Sequence, residues 1–270
     1  MSTFLNKIEK NISSEYENKG YLVRDIENID TLSKIRTIFI KSIKKNIKLK
    51  LNYDNDQELL NYIHKRVNLK DLNNFRLNII DTVNNNKNLR KLYFEVARKY
   101  LEILVGNELA MQRRINISIQ LPNDKSSLLP LHSDVWSGDS PYEIVVWLPL
   151  VDCYKTKGMY ILPPTKYKKL QKLFLNKSTT SSKIIFNRMK KDLKWIEVKY
   201  GQVLLFNQCL PHGNIVNKEK ETRWSLNCRF KGVFTPYVDK KIGEFFEPIT
   251  LRKISEYGMK YKLPKINEKD

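Results

Sequence analysis

Apolar positions recur at helical spacing through the first third of the chain and alternate with polar ones through much of the rest. "LNKIEKNISSEY" (5–16) and "IDTLSKIRTIFIKSIKKN" (29–46) carry apolar residues every three or four positions, the period of an amphipathic helix. Between them "GYLVRDI" (20–26) reads as a short strand. "DNDQELLNYIHKRV" (54–67) and "DLNNFRLNIIDTV" (71–83) each open on an Asp able to cap a helix. "NLRKLYFEVARKYLEILVG" (88–106) predicts one long helix stopped by Gly106, with Leu92, Phe94, Val96, Tyr100, Leu101 and Leu104 as its core face.

The period then changes to two. In "RRINISIQLP" (113–122) Ile115, Ile117 and Ile119 share one face, and Asn116, Ser118 and Gln120 share the other. "EIVVWLPLV" (143–151), "GMYILPP" (158–164), "WIEVKYGQVLLFN" (195–207) and "TRWSLNCRFKGVF" (222–234) predict further strands, set apart by turn-forming residues. A helix over 166–175 interrupts them, and the Lys-rich tail from Tyr257 reads as loose. Helices first and strands afterwards, with no repeat and no Gly/Ser/Pro linker, indicate one α+β domain on a barrel or sandwich.

Two polar residues stand out before the apolar run of residues 144–151. His132 and Asp134 are one residue apart in a chain with only three histidines. On an extended segment both side chains leave one face, roughly 7 Å apart along the strand. His212, in "LLFNQCLPHGNIVN", comes at a strand start in another part of the β-region, whereas His64 sits in a predicted surface helix. Two histidines and a carboxylate make the facial triad of non-haem iron sites, which leaves three coordination positions open. On the residues alone, a turn-capping Asp134 and part-buried histidines remain an alternative.

Arg223 follows His212 by eleven positions, on a return strand in a predicted hairpin. There Arg223, Ser225, Asn227 and Arg229 share one face, and Trp224, Leu226 and Cys228 share the other. Buried basic residues call for an anionic partner, and a guanidinium grips a carboxylate through two parallel hydrogen bonds. Pairing of Arg223 with Glu219 or Glu221 is the competing reading.

Composition narrows the classes. The 270 residues are 41% hydrophobic and 29% charged, the balance of a globular chain. The formal charge of +20 admits an acidic partner, nucleic acid included. The lysines are scattered in ones and twos and no base-stacking motif is present, so the charge is better read as compositional. Three cysteines without a CxxC pair argue against a disulfide framework or zinc knuckle and for buried thiols in a reducing cytoplasm. No apolar run reaches the length of a membrane span, and no P-loop, GxGxxG or GxSxG motif occurs.

The HxD pair, the distal histidine and the arginine eleven positions on resemble the Fe(II)/2-oxoglutarate-dependent dioxygenases, in the phytanoyl-CoA-hydroxylase-like branch. The stretch 131–164 looks like the small oxygenases of bacterial carbohydrate and streptomycin-type biosynthesis clusters. The likeness covers roughly residues 114–234. It implies a double-stranded β-helix (jelly-roll) core at 111–240, a mainly helical layer at 1–110 and a C-terminal extension at 241–270. It implies that His132, Asp134 and His212 hold Fe(II) and that Arg223 binds 2-oxoglutarate, with O2 as the second cosubstrate. The implied reaction hydroxylates a small polar, carbohydrate-type substrate and releases succinate and CO2; the positive charge is compatible with an anionic or phosphorylated one. Asn227, Asn116 and Gln120 are candidates for the cosubstrate pocket; Trp136, Tyr142 and Lys157 are candidates for substrate contacts. The alternatives are a metal-dependent cupin-type sugar isomerase or epimerase and a non-catalytic basic nucleic-acid-binding module.

Overall fold

The structure is a computed structural model that describes residues 4–47, 55–175 and 181–264. In chain order the elements are α1 (Lys7–Lys19), β1 (Tyr21–Asp25), α2 (Ile29–Asn46), α3 (Asp56–Tyr62), α4 (Leu72–Asn84), α5 (Leu89–Glu95) and α6 (Arg98–Leu104). There follow β2 (Leu109–Gln112), β3 (Asn116–Gln120), β4 (Glu143–Pro149), β5 (Met159–Ile161), α7 (Tyr167–Leu175), α8 (Ser182–Met189) and β6 (Lys194–Ile196). The chain ends with β7 (Gln202–Asn207), β8 (His212–Gly213), β9 (Arg223–Gly232), β10 (Phe246–Pro248) and α9 (Lys253–Lys260).

The strands form two antiparallel sheets. The larger runs β1-β7-β4-β9-β2-β10, with β3 paired to the first half of β9 and β2 to its second half. The smaller runs β6-β5-β8, and an isolated bridge between His132 and His212 extends it. Mixed helix and antiparallel sheet is therefore the observed class.

Strand β9 explains how the layers divide. Trp224, Leu226, Cys228 and Phe230 are fully buried in the main apolar core, which also takes in residues of α2 to α6. Trp224 packs edge-on against Phe39 of α2 and Phe75 of α4, each at 6.3 Å, and its indole N–H donates to the Leu60 carbonyl at 2.9 Å. Tyr93 of α5 donates its hydroxyl to Val146 O of β4 at 2.8 Å. The helices thus cover one face of the larger sheet, and the opposite residues of β9 are left for the site. Trp224→Ala should lower unfolding free energy by about 3–5 kcal/mol in urea denaturation, since it empties the centre of this contact; a loss under about 1 kcal/mol would contradict it.

Several elements differ from expectation. The long helix of 88–106 is two helices. Ala97 adopts φ −126°, ψ 0°, its N–H turns back to Phe94 O, and Val96 and Ala97 are buried where the chain bends. Strand β2 reads "LAMQ" without alternation because all four residues are buried. β10 and α8 also went unpredicted, and α9 stands where the tail was expected to be loose; residues 265–270 and Asp54 lie outside the described residues. Helix α3 is capped by the Asn55 side chain, and Asp71 makes no side-chain cap for α4.

Candidate metal and cosubstrate site

The expected metal residues converge, by a different route from the predicted strand. His132 lies in the bridge with His212, each backbone N–H donating to the other's carbonyl at 3.0 and 2.8 Å. Asp134 opens a 3-10 turn, Asp134–Ser137, ended by Gly138 at φ 84°. Ser133 anchors that turn: its hydroxyl lies 3.0 and 3.1 Å from the carbonyls of Gln208 and Cys209. Bridge and turn, not one strand face, aim the two side chains together.

Both imidazoles are held in one orientation. Nδ1 of His132 lies 2.7 Å from Pro130 O, and Nδ1 of His212 lies 2.9 Å from Leu210 O. With Nδ1–H donating there, each Nε2 is left as a lone-pair donor. Asp134 Oδ1 is 3.4 Å from His132 Nε2 and 3.8 Å from His212 Nε2, and the three ligand atoms lie within 4.8 Å of one another. Donors about 2.1 Å from a cation and at right angles lie about 3 Å apart, so a small contraction lets these three share one ion. Burial pushes the His212 imidazole down to about 4, which keeps it neutral. Burial raises the Asp134 carboxyl, but His132, His212 and Arg229 outweigh this and hold it below the usual carboxylate range.

These residues line a cavity of about 280 Å³ whose walls come from both sheets. From the larger sheet come Asn116, Ser118, Val145, Trp147, Phe206, Arg223, Ser225, Asn227 and Arg229; from the smaller come Met159, His212 and Gly213. The predicted hairpin between His212 and Arg223 does not exist: β8 pairs with β5, and β9 lies between β4 and β3 in the other sheet. The two residues face one cavity from opposite walls.

Arg223 is 2% exposed and makes no ion pair among the described residues. Its Nη1 donates to Gly158 O at 3.2 Å and its Nη2 to Ser118 Oγ at 2.8 Å, while Nε has no hydrogen-bond partner among the described residues. Burial lowers its pKa to about 10, so it stays cationic at neutral pH. Ser225 Oγ, buried on the same wall, is also without a hydrogen-bond partner among the described residues. A buried unpaired cation beside an unpartnered hydroxyl, on a cavity wall, is suited to an anionic ligand.

Asn227 and Asn116 line the cavity and join to each other, Asn116 Nδ2 donating to Asn227 Oδ1 at 3.0 Å. Gln120 does not line it: its Nε2 donates to Ile215 O at 2.8 Å and the residue is fully buried. Trp136 and Tyr142 are also outside the lining; Trp136 packs edge-on against Phe174 at 5.4 Å, and both are about half exposed. Lys157 is placed elsewhere by its charge. Its ammonium is fully buried, 2.7 Å from Glu221 and 3.2 Å from Asn61 Oδ1, so Glu221 serves Lys157 and not Arg223. Glu221→Ala should lower stability by about 3 kcal/mol, read by denaturant unfolding, because it strands that ammonium. His64 lies in a 3-10 turn and meets Thr222 Oγ1 at 3.0 Å, away from the other histidines. All three thiols are free; Cys153 and Cys228 are buried as expected, and Cys209 is only half-buried.

Arg229, which sequence reasoning left without a role, touches Asp134 directly at 2.8 Å. Its other partners, Gln112, Asp139 and Gln208, were not singled out. The one signal for it was its place on the polar face of β9.

No protein-family model and no curated protein sequence matches the chain. Solved structures do. EctD from S. alaskensis in its apo form aligns with a TM-score of 0.56 at 14% identity, over 87% of this chain and 82% of that one. EctD with 2-oxoglutarate and 5-hydroxyectoine aligns with 0.55 at 14% identity, over 87% and 81%. The non-heme alpha ketoglutarate dependent carbocyclase SnoK from nogalamycin biosynthesis aligns with 0.51 at 12% identity, over 87% of both chains. Over most of its length, this chain has the fold of these proteins.

Proposed function

We propose that the protein is an Fe(II)- and 2-oxoglutarate-dependent oxygenase. The observation that carries this reading is a single cavity holding both a His132-Asp134-His212 donor set and the unpaired buried cation of Arg223. His132, Asp134 and His212 would hold the iron. When bound there with 2-oxoglutarate, the iron would supply O2 activation for hydroxylation of a C–H bond, with release of succinate and CO2. Arg223 would receive the cosubstrate's distal carboxylate, oriented by Ser118 and Gly158 O, and Ser225 Oγ can donate to the same group. Val145, Trp147, Met159 and Phe206 make the apolar part of the wall that keeps bulk water out.

The substrate we infer is small and polar, of carbohydrate type. Asn116, Asn214 and Asn227 give the cavity uncharged amides that match hydroxyl groups. Two sheets facing each other across the site support a double-stranded β-helix core, and we treat residues 1–270 as one oxygenase domain. Among the described residues no helix is long and apolar enough to cross a membrane, and the three free thiols support the cytoplasmic setting expected from the sequence.

The test is an anaerobic titration of the metal-free protein with Fe(II) and then 2-oxoglutarate. A weak visible charge-transfer band that requires both additions is expected. Metal binding without that band would turn the assignment toward a cupin-type isomerase, which has no use for Arg223.

A further inference from the structure

The Asp134 carboxylate is divided between two neighbours. Oδ1 faces the two imidazoles, while Oδ2 lies 2.8 Å from Arg229 Nη2. Arg229 is fixed on every side. Its Nε donates to Gln208 Oε1 at 3.1 Å and forms an ion pair with Asp139 Oδ1 at the same distance, and its Nη1 donates to Gln112 Oε1 at 3.3 Å. Gln208 is itself oriented, since its amide N–H groups donate to Glu143 at 2.9 Å and Ser140 O at 2.8 Å, which turns its oxygen toward Arg229. Asp139, 2% exposed, is paired with Lys240 as well. The result is a line of alternating charge, Lys240, Asp139, Arg229, Asp134, that ends at the donor set.

A carboxylate can bind a divalent cation through one oxygen or two. Through one, the donor set uses three of six positions, leaving room for a two-point chelator and one more ligand. Through two, the last position is lost. We propose that Arg229 is a positioning residue: by holding Oδ2 in a close ion pair it makes Asp134 a one-oxygen ligand and keeps that position open. The inference rests on the metal assignment above and adds to it a role for a residue that does not bind the metal. Neutralising charge needs only a nearby cation; holding Oδ2 needs one in contact with that oxygen, and the network around Arg229 fixes one at 2.8 Å.

The two roles separate in the number of waters on a bound ion. Mn(II) alone is added to the protein, and the water-proton relaxivity per bound ion is measured with binding saturated. Wild type should carry three exchangeable waters. In Arg229→Met, Asp134 turns its second oxygen to the ion, one water leaves, and the inner-sphere relaxivity falls by about one third. Arg229→Lys, which keeps a cation for the ion pair with Oδ2, should recover the wild-type value. Asp139→Asn, which leaves Arg229 on Oδ2, should match wild type. If Arg229→Met strands Asp139 and does not fold, Arg229→Met/Asp139→Asn removes the pair together and is read in the same way. Unchanged relaxivity in a folded, Mn(II)-saturated variant without Arg229 overturns the proposal, even if its Mn(II) affinity rises. Failure of the wild type to bind Mn(II) overturns the metal assignment instead.

Discussion

Arg223→Met is expected to weaken 2-oxoglutarate binding at least about thirtyfold while leaving the metal in place. Truncating one side of a buried, hydrogen-bonded charge pair costs about 2–5 kcal/mol, and 1.4 kcal/mol is a factor of ten. The guanidinium is already oriented by Ser118 and Gly158 O before any ligand arrives, so little ordering cost offsets the gain on binding. Arg223→Lys keeps the charge and loses the planar fork, and should recover only part of the affinity.

The same substitution carries a second, opposite expectation. Arg223 is a buried cation without a carboxylate partner among the described residues, a group whose burial works against the fold. Ligand-free Arg223→Met should therefore be at least as stable as wild type in thermal unfolding, and only the stabilisation by added 2-oxoglutarate should disappear. A variant that unfolds early without ligand would make Arg223 a structural residue. Isothermal titration with 2-oxoglutarate on the metal-loaded protein, beside unfolding curves with and without it, reads both outcomes.

That contrast between stability and ligand capture also explains what could be read in the sequence. Polar and apolar residues alternate over nine positions of β9, Arg223–Lys231, and the period alone separated the Trp224 face from the Arg223 face, because one side meets a helical layer and the other a polar cavity. His132, Asp134 and His212 were legible because histidine is rare here and the HxD spacing is short. What stayed hidden depends on pairing between distant segments. β8 is two residues long, too short for a pattern to say which sheet it joins, so His212 and Arg223 were taken for one hairpin. Arg229 owes its role to Asp139, Gln208 and Gln112, single polar residues from three separate segments. Lys157 looked available because a lone lysine in a turn is normally solvated, and Glu221 lies 64 positions away. Strand β2 has no alternation to read because all four of its residues are buried.

Replacing any one of His132, Asp134 and His212 with alanine should remove stoichiometric metal binding. Loss of an outer hydrogen-bonding partner already costs about 10–100-fold in affinity, and loss of one of three protein donors should exceed that. The three variants should nevertheless differ. His132→Ala and His212→Ala delete a neutral donor and leave the Asp134–Arg229 pair intact. Asp134→Ala deletes the only anion among the donors and also frees one side of Arg229, leaving its positive charge beside the two imidazoles with Asp139 as its remaining acidic partner. A cation entering that variant meets repulsion without compensation, so Asp134→Ala should bind Mn(II) most weakly of the three. Asp134→Asn isolates the charge from the shape, because the amide keeps the size of the carboxylate and an oxygen acceptor without its charge. It should fold like wild type and yet bind Mn(II) nearly as poorly as Asp134→Ala. Anaerobic calorimetric titration with Mn(II), with far-ultraviolet circular dichroism to establish folding, decides the order. Wild-type affinity in any folded variant would remove that residue from the site. Equal losses in all three alanine variants would show that the Arg229 charge left by Asp134→Ala does not repel the entering cation.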